Sequence, residues 1–90
     1  MSNVDKVLQM SRFCDEACEV IRGTIPEGYY LDDINVDENR LEIKIFDRDG
    51  KQADRFGLTR YPEDQPFAEE INEEEHLHIL LSFWKERWSA

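Results

Sequence analysis

Apolar residues recur at helical spacing over the first part of the chain and then switch to alternation, which marks a passage from helix to sheet. From about Val4 to Arg22, the positions Val4, Val7, Leu8, Ser11, Cys14, Ala17, Cys18 and Ile21 fall on the i, i+3, i+4 stripe of an amphipathic helix. Met10, Phe13 and Val20 widen this face, so the helix is expected to pack on more than one neighbour. Ser2 with Asp5 fits a capping box at its start, and Gly23 suits its C-terminal stop. Pro26 and Gly28 place a loop over residues 24–28. Beyond it, Leu41, Ile43 and Ile45 alternate with Arg40, Glu42 and Lys44 in the pattern of a half-buried strand. Tyr30 to Val36 reads as a weaker strand carrying Ile34 and Val36 on one face, joined to the next by Asp37-Glu38-Asn39. Asp47-Arg48-Asp49-Gly50 is a second turn, with glycine supplying the positive φ of a tight hairpin. A third strand, roughly Lys51 to Tyr61, is expected to place Phe56 and Leu58 on one face and Ala53, Arg55 and Thr59 on the other.

Pro62 and Pro66 end the sheet, because proline cannot donate to a ladder. An extra turn at Phe67 to Ile71 then leads into a final helix from about Glu73 to Trp88. Leu77, Leu80, Leu81, Trp84 and Trp88 line its inner face, while Asn72 with Glu75 resembles a capping box and Lys85 and Arg87 sit where the helix dipole favours cations. The reading is a single α+β domain over 1–90: N-terminal helix, three-stranded antiparallel meander, C-terminal helix, with both helices on one face of the sheet.

Charge changes the picture most. Twenty-one acidic residues against eleven basic ones give a formal charge of −10, a field that repels nucleic acid and anionic membranes and attracts basic partners. The acids are also unevenly placed. No Lys or Arg lies between Tyr61 and Trp84, a stretch holding Glu63, Asp64, Glu69, Glu70, Glu73, Glu74 and Glu75. Gly23 to Asn39 also lacks a basic residue but holds Glu27, Asp32, Asp33, Asp37 and Glu38. Carboxylates at i, i+4 of a helix or i, i+2 of a strand stand about 6–7 Å apart, close to the spacing of phosphates along a nucleic-acid strand. The bland reading of such runs is a solvated face and a favourable helix start.

The cysteines and histidines point away from catalysis. Cys14 and Cys18 lie on the apolar stripe, where a thiol behaves as a small hydrophobe with a raised pKa; the parallel i, i+4 side chains form no disulfide with each other. Zinc on Cys14, Cys18, His76 and His78 is disfavoured, because side chains at i and i+2 of a helix diverge by about 200°. Asp47 to Gly50 resembles the opening of a calcium loop, but the position that must carry a bidentate Glu is Leu58. No compact catalytic signature is present, so no enzyme, cofactor or metal is expected. The start has no basic, apolar leader and no apolar run approaches the roughly 20 residues of a membrane span, which suggests the cytoplasm of a bacterium or of a phage-infected cell.

In size, acidity and order of elements the whole chain resembles the small phage-encoded inhibitors that act as DNA mimics, including some anti-CRISPR proteins. That resemblance rests on no diagnostic motif and carries over no individual positions. It implies a non-enzymatic inhibitor of a nucleic-acid-handling bacterial defence complex, binding a basic nucleic-acid-binding protein and neither nucleic acid itself nor membrane. The candidate partner-binding residues are Asp32, Asp33, Asp37 and Glu38 in the first tract and Glu69, Glu70, Glu73 and Glu74 in the second. The alternative is an intracellular interaction module, adaptor or chaperone-like, whose contacts are aromatic residues left outside the core: Tyr29, Tyr30, Phe67, Phe83 or Trp88.

Overall fold

A computed structural model describes residues 3–61, 69–71 and 74–89. Helix α1 (Asn3–Thr24) leads into strands β1 (Tyr30–Val36), β2 (Arg40–Phe46), β3 (Gln52–Thr59) and β4 (Glu69–Glu70), and helix α2 (Glu74–Ser89) closes the order. One sheet holds all four strands in the order β1-β2-β3-β4. The first three are antiparallel neighbours, and β4 runs parallel to β3.

Two aspartates build the turns of the meander. Asp37 Oδ1 accepts the backbone N–H of Asn39 at 2.8 Å and of Arg40 at 3.0 Å, and the Asp37 N–H donates to the Arg40 carbonyl at 2.9 Å. Asp47 repeats the device, accepting from Asp49 at 2.9 Å and Lys51 at 3.0 Å, with Gly50 at φ 82°. Each side chain takes over peptide donors that the tight turn leaves without a ladder partner. The carboxylate of Asp47 thus serves the hairpin.

Alternation in β2 and β3 puts Leu41 opposite Leu58 and Ile43 opposite Phe56, and all four are buried. Onto this face α1 lays Met10, Phe13, Cys14, Ala17, Cys18 and Ile21, and α2 lays Leu77, Leu81 and Trp84. Both helices therefore share one face of the sheet. Each fully buried large side chain contributes roughly 1.5–3 kcal/mol before chain entropy is counted. Contacts at the two ends of the sheet set the helix directions. Near the start of α1, Gln9 Oε1 accepts from the Arg60 guanidinium, while Trp88 near the end of α2 stacks edge-on against Tyr29 at 6.0 Å. Ile71, just ahead of α2, donates to the Thr59 carbonyl at 2.9 Å. Both helices accordingly run from the Arg60 end of the sheet to the Tyr30 end.

Four sequence expectations need correction. Val4, Val7 and Leu8 are exposed, at 68%, 38% and 58%. A 22-residue helix spans about 33 Å at 1.5 Å per residue, whereas a seven-residue strand spans about 23 Å, so α1 outruns the sheet at its N-terminal end. Ile34 and Val36 do not form a buried face either, being 40% and 42% exposed. The register slips between Asp32 and Asn35 around Asp33, which sits at φ 51°, and the resulting bulge breaks the alternation. Thr59, expected on the polar face, is 1% exposed, because its hydroxyl accepts from Tyr61 N–H at 3.0 Å and β4 pairs beside it. Finally, the expected turn at 67–71 contains strand β4, and its last residue, Ile71, is fully buried; Phe67 lies outside the described residues, as do Ser2, Asn72 and Glu73 of the helix starts.

Candidate functional site

Parts of the two acidic tracts lie at the same end of the sheet, Asp37 and Glu38 from the first and Glu69 and Glu70 from the second, whereas Asp32 lies farther along β1, opposite Lys44. Arg60 organises that meeting. Its backbone N–H donates to the Asn39 carbonyl at 2.8 Å and its Nε to the Glu38 carbonyl at 3.0 Å, fixing the β1–β2 turn on one side. On the other side Thr59 pairs with Glu70 and bonds Ile71. With neighbouring strands about 4.8 Å apart, the backbones of Asn39 and Ile71 lie about 10 Å from each other across Arg60.

Within the first tract, the carboxylates fall into different roles. Asp33 Oδ2 holds the Lys44 ammonium at 2.6 Å, and Lys44 also lies 3.8 Å from Glu42. The hydrogen bonds from Lys44 and then Asn35 hold the Asp33 carboxyl below the usual carboxylate range, and the same partner raises Lys44 above the usual ammonium range. Asp37 carries the turn and pairs with Arg40 at 3.4 Å. Asp32 is exposed and its Oδ1 accepts the Asp33 N–H at 2.7 Å; Glu38 anchors Arg60 through its backbone alone, which leaves its carboxylate out of that bond. Beside this tract a shallow groove of about 340 Å³ is lined by Asn35, Val36, Asp37, Arg40, Leu41 and Glu42.

In the second tract Glu69 and Glu70 form β4 and Glu74 opens α2, so the tract is a strand followed by a helix start. Glu73 lies outside the described residues.

The thiols and imidazoles are not brought together. Cys14 and Cys18 are buried and free, whereas His76 and His78 are exposed on α2. Burial, reinforced by the adjacent Cys18, pushes the Cys14 thiol up to about 12, which keeps it protonated at neutral pH. Among the described residues no cluster of three or more His, Cys, Asp or Glu is arranged to hold a metal ion. No described helix is long and apolar enough to cross a membrane.

Of the aromatic candidates, Tyr29 and Trp88 pack partly against the core. Tyr30 is 44% exposed and stacks on Phe46 at 5.5 Å; Phe83 is 62% exposed. Phe83 lines a second groove of about 330 Å³ between β3 and α2, with Arg55 and Arg87 at its sides. Sequence reasoning missed this groove, since its residues come from two elements and only pairing of Phe56 with Trp84 brings them together. Comparison of the chain with protein-family models, with curated proteins and with solved structures returned no match.

Proposed function

We propose that this protein is a non-enzymatic inhibitor that sets the acidic end of its sheet into the basic groove of a nucleic-acid-handling protein or complex, of the kind that serves bacterial defence. The observation that carries the reading is that the Asp37–Glu38 turn of the first tract and the Glu69–Glu70 strand of the second lie on either side of Arg60. A charge run that only solubilised the chain has no reason to be gathered with a second at one end of the fold. Exposed Phe83 and Tyr30 support the other reading, an interaction module anchored by aromatic residues.

The test removes charge and leaves the turns intact. In one variant Glu70, Glu73 and Glu74 become Gln; in a second, Asp32→Asn is combined with Glu38→Gln, sparing Asp33 and Asp37. The partner is captured from bacterial lysate at low salt and identified, and each variant then competes with that partner's own nucleic acid. Each set is expected to weaken binding about tenfold, roughly 1.4 kcal/mol, with a shallower dependence on salt. Unchanged affinity across a salt titration would sink the reading and favour the aromatic one.

A further inference from the structure

We propose that the outward face of α2 is a docking surface whose occupant is the same face of a second copy of this chain, packed antiparallel about a two-fold axis. Leu77, Leu81 and Trp84 turn one side of the helix into the core. Ile79 and Phe83, two residues before and two after Leu81, lie about 200° around the helix from it and are 52% and 62% exposed. The helix thus has a second apolar side. His76 and Glu86, both exposed, extend that side, and the run His76, Ile79, Phe83, Glu86 has the alternating three-and-four spacing of a coiled-coil seam. Under a two-fold axis crossing the helix opposite Leu81, Ile79 of one copy meets Phe83 of the other, and the same contact recurs beyond the axis. The polar ends of the seam, His76 and Glu86, are then brought opposite each other.

Charge selects both the occupant and its direction. In a chain of net charge −10 a second copy is repelled by most of the surface, but from His76 to Ser89 α2 carries Lys85 and Arg87 against Glu86 alone. Here a copy approaches at the least electrostatic cost, whereas a strongly basic partner is drawn to the acidic end instead. α2 starts at that acidic end, since Ile71, just ahead of it, is bonded to Thr59 and Glu69 and Glu70 pair beside β3. A parallel pair of helices would set the two acidic ends side by side. The antiparallel pair sends them to opposite poles, which also leaves the proposed inhibitor surface uncovered in both copies. Two isoleucines and two phenylalanines make an interface smaller than the roughly 1,200 Å² of a standard stable complex. The dimer is therefore weak, with a Kd on the order of 0.1 mM.

The test is sedimentation equilibrium of the full-length chain in reductant, from about 0.02 to about 1 mM protein, at about 0.05 and about 0.5 M salt. A monomer–dimer equilibrium should appear and tighten at least about threefold at the higher salt, because screening relieves the repulsion between two like-charged chains. Binding at the acidic end should move the other way. Ile79→Ser and Phe83→Ser, both at exposed positions, should each weaken the dimer at least about tenfold. In dilute solution each should leave the thermal midpoint within about 2 °C, as surface substitutions do. In a mixture of isotope-labelled and unlabelled chains, filtered NOEs should join the Ile79 methyls of one copy to the Phe83 ring of the other. A chain that stays monomeric at about 1 mM in high salt would overturn the proposal and leave the face to a different protein. So would a dimer that both variants leave intact, or NOEs that join Phe83 to Phe83, the mark of a parallel pair. Replacing Glu70, Glu73 and Glu74 with Gln should not weaken the dimer, so failure of the acidic surface and failure of this one are read separately.

Discussion

At the β1 edge the chain closes its peptide groups with short polar side chains, whereas along β3, ahead of the two residues that pair with β4, it uses a helix, a stack of aromatic rings and one aspartate. On β1, Asp32 takes the Asp33 N–H and Asn35 Nδ2 donates to the Asp33 carbonyl at 3.2 Å, so the bulge satisfies itself and offers a poor template to another strand. On β3, Asp54 faces α2 and accepts from Arg87 at 2.5 Å and from Trp88 Nε1 at 3.0 Å. Phe56, Trp84 and Trp88 stack behind it, with ring centroids 5.8 and 5.5 Å apart. The same residue type thus shapes a loop at the β1 edge and ties down a helix along β3. Counting carboxylates says little about function until the work each does in the fold has been subtracted.

The comparison breaks first if the aromatic stack proves dispensable. Trp84→Ala should destabilise the protein by about 3–5 kcal/mol, the usual cost of emptying a large aromatic site. A urea melt that superimposes on wild type would show that α2 is held elsewhere. Asp54→Ala comes next, with a loss of about 1–3 kcal/mol because it strips the Trp88 indole and the Arg87 guanidinium of a shared acceptor. Asp54→Asn keeps an acceptor without the charge and should fall between wild type and Asp54→Ala in the same melt.

How far these differences could be read in advance depends on what each element uses to hold its place. Leu41, Ile43 and Ile45 were legible because one buried face leaves a period of two in the sequence. Trp84 was legible through its stripe with Leu77 and Leu81. β4 was not, since two glutamates held by backbone pairing leave no hydrophobic signature. The bulge was hidden for a similar reason: aspartate tolerates a left-handed backbone, yet nothing in Asp32-Asp33 distinguishes that use from surface charge. Nor does periodicity record where the sheet ends beneath a long helix, which is why Val4, Val7 and Leu8 read as core. Of the candidate site, the acidic residues were plain in the sequence, but their meeting across Arg60 depends on β4.

Smaller effects sharpen the picture of the β1 side. Cys14 and Cys18 should react with a thiol reagent only slowly in the native state and rapidly in denaturant; fast native labelling of both would place them on the surface. Cys14 is raised from 9.0 to about 12 by burial and by Cys18. The folded state therefore keeps a proton that the unfolded chain releases. Its contribution is fully present below pH 9 and is lost as pH climbs toward 12, so alkaline melts of Cys14→Ala should decline less steeply than those of wild type. The smallest effect belongs to Asp33. Its carboxyl should titrate below the ordinary range by carbon-detected NMR, and its pairing with Lys44 should support the fold above that range and fade as pH falls through the lowered value. Asp33→Gly, which accepts the positive φ, should perturb the melt less than Asp33→Ala; equal losses in the two would show that the bulge is held by the carboxylate and not by backbone geometry.

The parallel pairing of β4 also has a kinetic meaning. The β1–β2 and β2–β3 hairpins close over short turns, steps of about 1–10 μs, and so give the nascent sheet its template. β4 pairs with β3 across a longer sequence separation than either hairpin turn, and finds its register on a β3 that is already in place. The end of the sheet formed by β4 is therefore expected to assemble after the two hairpins. By the same logic the Ile71 amide, bonded to Thr59, should exchange with deuterium sooner than the amides of β2, which are bracketed by strands on both sides.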